Sequence, residues 1–357
     1  MIRTVIRQFL VNIIGEFTKI LEWFAHQETK HVPRDVKSIE AAVAEIGKRG
    51  RIIIAAGTYR ENINIPTGKR ITIQSDGIES PKLFALDPEL PVLHVSPKAE
   101  LSLIGMSVRG TRCGILAGSR RSEEAATRVT LVHAHVADAE YGIYGLAKQF
   151  HIEHSIVEHN VYGLAMIGSV SLVNVIVVSN YANVLLSGDG KPPWDAAVYA
   201  VTGNKVLIKN VTIWDGQKGG LSIWNVTDAT VKNVHLWKNG YIGVQLNSIK
   251  KFTFTDSNVG ETHEWNGGWG DGLSVTNSVG LVKNSQFSAN KRANIIFDAS
   301  DGKIDANVSV YAIFALDLEG GSGPEITATN YFFGNAENRV TFGKGIKPTP
   351  LPEIPTL

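Results

Sequence analysis

Between Thr262 and Ser278 the chain reads THEWNGGWGDGLSVTNS, which crowds His263, Glu264, Trp265, Trp269 and Asp271 among glycines. A second segment, SGDGKPPWDA from Ser187 to Ala196, brings Trp194 and Asp195 into a similar setting. Two carboxyl groups can cleave a glycosidic bond, one as acid and one as base or nucleophile, at ~5–5.5 Å or ~6.5–9.5 Å apart. Glu264 and Asp271 form such a pair if the loop folds back on itself, and Asp195 joins only through loop reach. His263 is the alternative base for removing a proton beside a uronate carboxylate, which Asn247, Gln245, Lys218 or Arg292 would neutralise. Asp189 and Asp195 suggest calcium, but two carboxylates do not specify that ion, so no cofactor is expected. Plainer roles stand beside these: Asp271 ahead of Gly272 suits a turn cap, Asp189 suits a turn, and both loop tryptophans suit packing.

The elements that carry these residues repeat. A small residue followed by apolar, any, apolar returns as GILA at Gly114, GIYG at Gly142, GLAM at Gly163, AVYA at Ala197, GLSI at Gly220, GVQL at Gly243, GLSV at Gly272 and NIIF at Asn294. The starts are separated by 28, 21, 34, 23, 23, 29 and 22 residues. Asn160, Asn239 and Asn290 precede their units by a few residues. A further polar column, His133, His154, Asn174, Asn210, Asn233 and Asn284, keeps the same period. Asparagine tolerates left-handed turns and bonds to nearby backbone, so both columns predict repeated tight turns. Units near 22 residues are too short for a propeller blade of about 40–45 and fit one coil of a parallel β-helix. The fold class is therefore all-β, with three short strands per coil and a core row of Ile143, Leu164, Val198, Leu221, Val244, Leu273 and Ile295.

The opening VKSIEAAVAEIGKRGRIIIAAGTYRENINIPTGKRITIQSDG, residues 36 to 77, resembles the start of the pectin-lyase-like right-handed parallel β-helix proteins. The later Asn-x-x-Gly-apolar-x-apolar units resemble the repeat of that family, and together the two cover nearly all of residues 36 to 345. The resemblance implies a short helix, a strand ending in a Gly-Thr-Tyr turn, and then the first coils. It implies an extracytoplasmic setting. It does not imply one activity, because this fold hosts lyases, hydrolases, esterases, epimerases and tailspikes. The polygalacturonase pattern of paired aspartates followed by Gly-His-Gly is missing, as is the Asp-Pro-His motif of alginate epimerases.

The long gaps before Ala197 and Gly272 predict two insertions, 181–196 and 257–271, on coils three apart and entering the strand from the same side. They would wall a trough whose floor is two coils wide. Period-2 alternation points Ser222, Trp224, Gln245 and Asn247 out of that floor, with Tyr199, Ser274 and Thr276 on the wall coils and Asp298 one coil further on. Aromatic planes beside amides and carboxylates suit a polysaccharide or oligosaccharide. Three functions stay open: a glycan-active enzyme, hydrolase ahead of lyase or epimerase; a glycan-binding protein without turnover; and a structural or adhesive β-helix.

Near-zero charge, 35 Lys+Arg against 34 Asp+Glu, argues against nucleic acid as a partner. Cys113 alone cannot make an internal disulfide. Residues 1–30 carry an amphipathic helix, Ile2 to Phe24 on one face, that caps the next domain, meets a membrane surface or oligomer partner through 1–27, or serves as an atypical export signal. No clear signal peptide or membrane span is expected. The β-helix is assigned to 31–345 and a proline-rich tail to 346–357.

Overall fold

The computed structural model describes residues 28–110, 112–118, 125–187, 204–264 and 269–337. The amphipathic helix assigned near the N-terminus lies outside these residues up to Gln27, as does the tail 346–357. The described strands form coils of three, for example Ile242–Asn247, Lys251–Thr255 and Asn258–Gly260. Each strand pairs in parallel with its counterparts one coil before and after, so the rod has three parallel sheets. The first sheet runs from Ile63–Ile65 to Phe314–Glu319 and includes every repeat unit except AVYA.

Alternation decides what is inside. Ile143, Leu164, Leu221, Val244, Leu273 and Ile295 are all fully buried in one row, as their spacing predicts. Phe252, Phe254, Phe287 and Phe297 fill the later coils, with the rings of Phe254 and Phe287 6.0 Å apart. Both polar columns are ladders. His133, His154, Asn174, Asn210, Asn233 and Asn284 share φ values of 48–55°, the left-handed corner asparagine tolerates. Asn210 Nδ2 donates to Asn174 Oδ1 at 2.9 Å, and Asn233 Nδ2 donates to Asn210 Oδ1 at 2.9 Å.

The buried ladder is longer than the sequence columns indicate. Asn180 joins it, its Oδ1 accepting from Asn160 N–H at 2.9 Å. One coil on, the ladder position is Gly216, where a Cβ would come within 2.3 Å of Asn183 Nδ2. Asn183 fills that gap from the strand, accepting from Asn180 Nδ2 at 3.0 Å and donating to Asn239 Oδ1 at 2.9 Å. Thr262 takes the next place; it is 2% exposed and its hydroxyl has no partner among the described residues. An unpaired buried hydroxyl is destabilising. Thr262→Val keeps the shape and removes it, so denaturant unfolding should show a gain of about 1 kcal/mol. A loss instead would mean that the hydroxyl is partnered.

The first strand is Glu28–Val32, so β-structure begins inside the 1–30 segment assigned to helix. The implied short helix is Ile39–Glu45, which packs Ile39, Ala42 and Val43 into the core at the start of the rod. Coil residues cap both of its ends. The Glu61 carboxylate accepts from the N–H groups of Ile39 and Glu40 at 3.1 and 2.8 Å, and Lys69 Nζ donates to the carbonyls of Val43 and Ile46 at 2.5 and 2.6 Å. Anion at the start and cation at the end match the helix dipole.

The 181–196 insertion is placed differently from expectation. Ala182–Ser187 pairs with both Tyr162–Val173 and Gly219–Trp224, so this strand, and not the one at Ala197, is the coil's member of the first sheet. Val184 therefore takes the core position assigned to Val198, and Leu185 is in register with Ser222 where Tyr199 was expected. The added residues 188–203 follow this strand, whereas 261–270 precede Asp271–Thr276. The two insertions thus join the first sheet at opposite ends of its strands. They remain three coils apart, with Gly219–Trp224 and Ile242–Asn247 between.

Candidate functional site

Two outward rows cross the first sheet. In one, Ser222, Gln245 and Ser274 are in register; in the other, Trp224, Asn247, Thr276, Asp298 and Glu319 follow one another over five coils. The second row spans roughly 19 Å at about 4.8 Å per coil. Trp224 is half-buried, on the side opposite the fully buried Ile223, and its indole N–H has no partner among the described residues. A buried indole usually finds an acceptor. Ser222 Oγ lies 3.5 Å from Gln245 Oε1, and Ser248 Oγ donates to Asn247 Oδ1 at 2.8 Å. The floor is thus half-buried, mixed aromatic and amide, and uncharged until Asp298.

The 261–270 corner is organised by an ion pair. Asp271 is 1% exposed and its carboxylate accepts from Arg292 Nε at 2.7 Å and from Nη2 at 2.5 Å. The guanidinium lies 3.8 Å from the centre of the Trp269 ring, whose residue is 54% exposed. Burial pushes the Asp271 carboxyl above its ordinary range, and the Arg292 pair opposes that shift. A carboxylate enclosed and held in this way cannot touch a substrate. Asp271 therefore corrects the expectation of a contact acid or base: it positions Arg292, which in turn supports the Trp269 plane. Arg292 is also occupied, so it is not free to neutralise a uronate.

Glu264 and Asp271 are each held by a cation of their own. Glu264 is exposed and lies 3.8 Å from Lys291 Nζ, a different cation. His263 is exposed, its carbonyl accepts from Tyr241 N–H at 2.9 Å, and its backbone bridges to Gly240. Trp194, Asp195, Tyr199, Trp265 and Asp189 lie outside the described residues. Among the described residues no group of three or more His, Cys, Asp or Glu is placed to hold a metal.

The carboxyls that do gather are one and two coils further on. Asp298 is in register with Glu319, and Asp317 stands two residues before Glu319 in the same strand. Asp317 is 5% exposed, with an Oδ1 lacking a hydrogen-bond partner among the described residues. Glu319 is exposed at the end of its strand, and partial desolvation of its carboxyl first, then the neighbouring Asp317, push it above its ordinary value, with Asp298 adding in the same direction. Such a group holds a proton at pH values where an ordinary glutamate has lost it. Sequence reasoning reached Asp298 and missed Asp317 and Glu319. The signal was available: Ala315 follows Asn294 by 21 residues (315 − 294) and opens one more unit, ALDL, with Leu316 and Leu318 inward.

No helix among the described residues is long and apolar enough to cross a membrane. A family model described as right handed beta helix region matches residues 195–347. No curated protein matches the chain by sequence. Among solved structures, a point mutant of the periplasmic alginate epimerase AlgG aligns with a TM-score of 0.50 and 11% identity over 88% of this chain and 84% of that one. The Dettilon tailspike protein aligns with a TM-score of 0.51 and 12% identity over 85% of this chain and 70% of that one. At such identities the likeness is one of fold, and it agrees with the three-sheet coil, the core row and the turn ladders. The chain folds as a right-handed parallel β-helix, and its residues 195–347 match the model of such a region.

Proposed function

We propose that this protein hydrolyses a polysaccharide laid along the outward rows of the first sheet. The observation that carries the reading is the single row Trp224, Asn247, Thr276, Asp298, Glu319, which ends in adjacent carboxyls, one of them shifted toward its protonated form. Trp224 and Trp269 offer apolar planes for sugar rings, while Gln245, Asn247, Ser274 and Thr276 meet hydroxyls. Glu319 gives its proton to the glycosidic oxygen as that bond breaks, and Asp298 bonds to the freed anomeric carbon. Water then replaces Asp298, yielding its proton to Glu319. The backbones of the two carboxyl residues are one coil apart, about 4.8 Å, which favours this route over the ~6.5–9.5 Å separation that admits water directly.

Elimination is less well supported because Arg292 is committed to Asp271 and Trp269. The same fold carries a periplasmic alginate epimerase and a tailspike, and we place the action of this protein outside the cytoplasm too.

Incubation with a panel of polysaccharides, reading new reducing ends and the absorbance of new double bonds, tests the reaction. Reducing ends alone are expected, and double bonds would replace hydrolysis by elimination. Binding without either product would leave a glycan-binding protein. Trp224→Ala should weaken binding of the responsive glycan about tenfold, roughly the loss of 1.4 kcal/mol, in affinity electrophoresis, with unchanged far-UV circular dichroism. Full affinity in that variant would remove this row as the binding surface.

A further inference from the structure

The second sheet carries a groove of its own, far along the rod from the Asp298–Glu319 carboxyls. It encloses about 480 Å³ and follows the rod axis across the early coils, from Arg49 to Gln149. One edge is the in-register series Arg49, Arg70, Glu100, Arg128 and Gln149, one residue per coil. Beside it runs a row of hydroxyls, Thr72, Ser102 and Thr130, ending at His151.

The charge in this groove is unbalanced. Arg49 and Arg70 are directly opposed on neighbouring strands, an arrangement that like charges disfavour. Among the described residues that line the groove, only Glu100 offsets them, 3.3 Å from Arg70 Nε, and its side chain is 23% exposed. Arg128 Nε donates to the neutral Gln149 at 3.0 Å, so the arginine keeps its full charge. Among the described lining residues, three guanidiniums against one carboxylate leave the groove positive whatever the state of His151. The whole chain is nearly neutral, so the positive charge is local.

We infer that this groove binds a linear anionic polysaccharide, its carboxylate or sulfate groups on Arg49, Arg70 and Arg128 and its hydroxyls on the Thr72–Ser102–Thr130 row. Arg49 and Arg128 stand three coils apart, roughly 14 Å at about 4.8 Å per coil. That is too far for one small anion and suited to a chain with repeated charges. Guanidinium forks match carboxylate and sulfate oxygens two at a time. A single-stranded nucleic acid fits poorly, because its bases need aromatic planes and the groove lining has no Phe, Tyr or Trp. The site is independent of the hydrolytic row and stands even if that reading fails.

Affinity electrophoresis of the full chain through gels holding polygalacturonate, a sulfated glycan, dextran or oligo-dT tests it. Retardation is expected in one or both acidic glycan gels, which also separates carboxylate from sulfate as the anion, and in neither dextran nor oligo-dT. Arg128→Gln should weaken it about tenfold and Arg70→Gln/Arg128→Gln about a hundredfold, as expected for lost charge-assisted bonds. Glu100→Gln should tighten it several-fold, an effect that a folding defect would not produce. Equal retardation by oligo-dT, an unaltered Arg70→Gln/Arg128→Gln variant that melts like the parent, or weaker binding by Glu100→Gln would each overturn the assignment.

Discussion

Glu319→Gln should lower hydrolysis of the responsive glycan by ~10²–10⁴-fold, the usual contribution of a positioned acid, while binding stays within a factor of two or so of the parent. The amide keeps the shape and hydrogen-bonding reach of the side chain but has no proton to give to the leaving oxygen. The pH profile adds a second readout. The acid works only while protonated, so the rate should fall as pH rises through the raised Glu319 value. Asp317→Asn removes the negative neighbour that contributes to that rise, so it should move the alkaline limb to lower pH. A Glu319→Gln protein with parental turnover would place the chemistry elsewhere, whether or not the glycan still binds.

The second large effect concerns the support beneath Trp269. Arg292→Met leaves the Asp271 carboxylate enclosed with neither of its charged bonds, and a loss of about 3–5 kcal/mol is expected. The loss should depend on pH in a defined direction. In the folded chain Asp271 already titrates above its ordinary value of 3.8 because of burial, with Arg292 holding it down. Without Arg292 the folded value rises further while the unfolded value stays put. Between the two the folded state binds more protons than the unfolded one, so stability falls as pH rises through that window and is lowest above it. Urea unfolding at a series of pH values measures this. Asp271→Asn/Arg292→Met, with no charge left to enclose, should recover most of the loss. A deficit that is the same at every pH would mean that packing under Trp269, and not the carboxylate, sets the effect.

The two sites differ in how far the sequence discloses them. Asp298 could be placed because Thr276 and Asn247 hold the same position in the preceding repeat units, and alternation alone sets which side each residue takes. Glu319 follows by the same rule once the ALDL unit is added. Arg292 is different. Its partner Asp271 is 21 residues away (292 − 271), and nothing in either segment marks a bidentate pair, which depends on how two successive corners stack.

The sequence by itself determined the coil, the core row except at Val184, the turn columns and the outward residues Ser222, Trp224, Gln245 and Asn247, because a period-2 strand repeated coil after coil leaves one way to stack. Only the tertiary structure decided which of two equally apolar stretches, Ala182–Ser187 or the one at Ala197, joins the sheet. It also decided that Asp271 is enclosed by Arg292 instead of facing a substrate. Both choices rest on contacts between neighbouring coils: pairing on two sides selects the strand, and the charge on the next corner fixes the carboxylate. Local pattern contains neither.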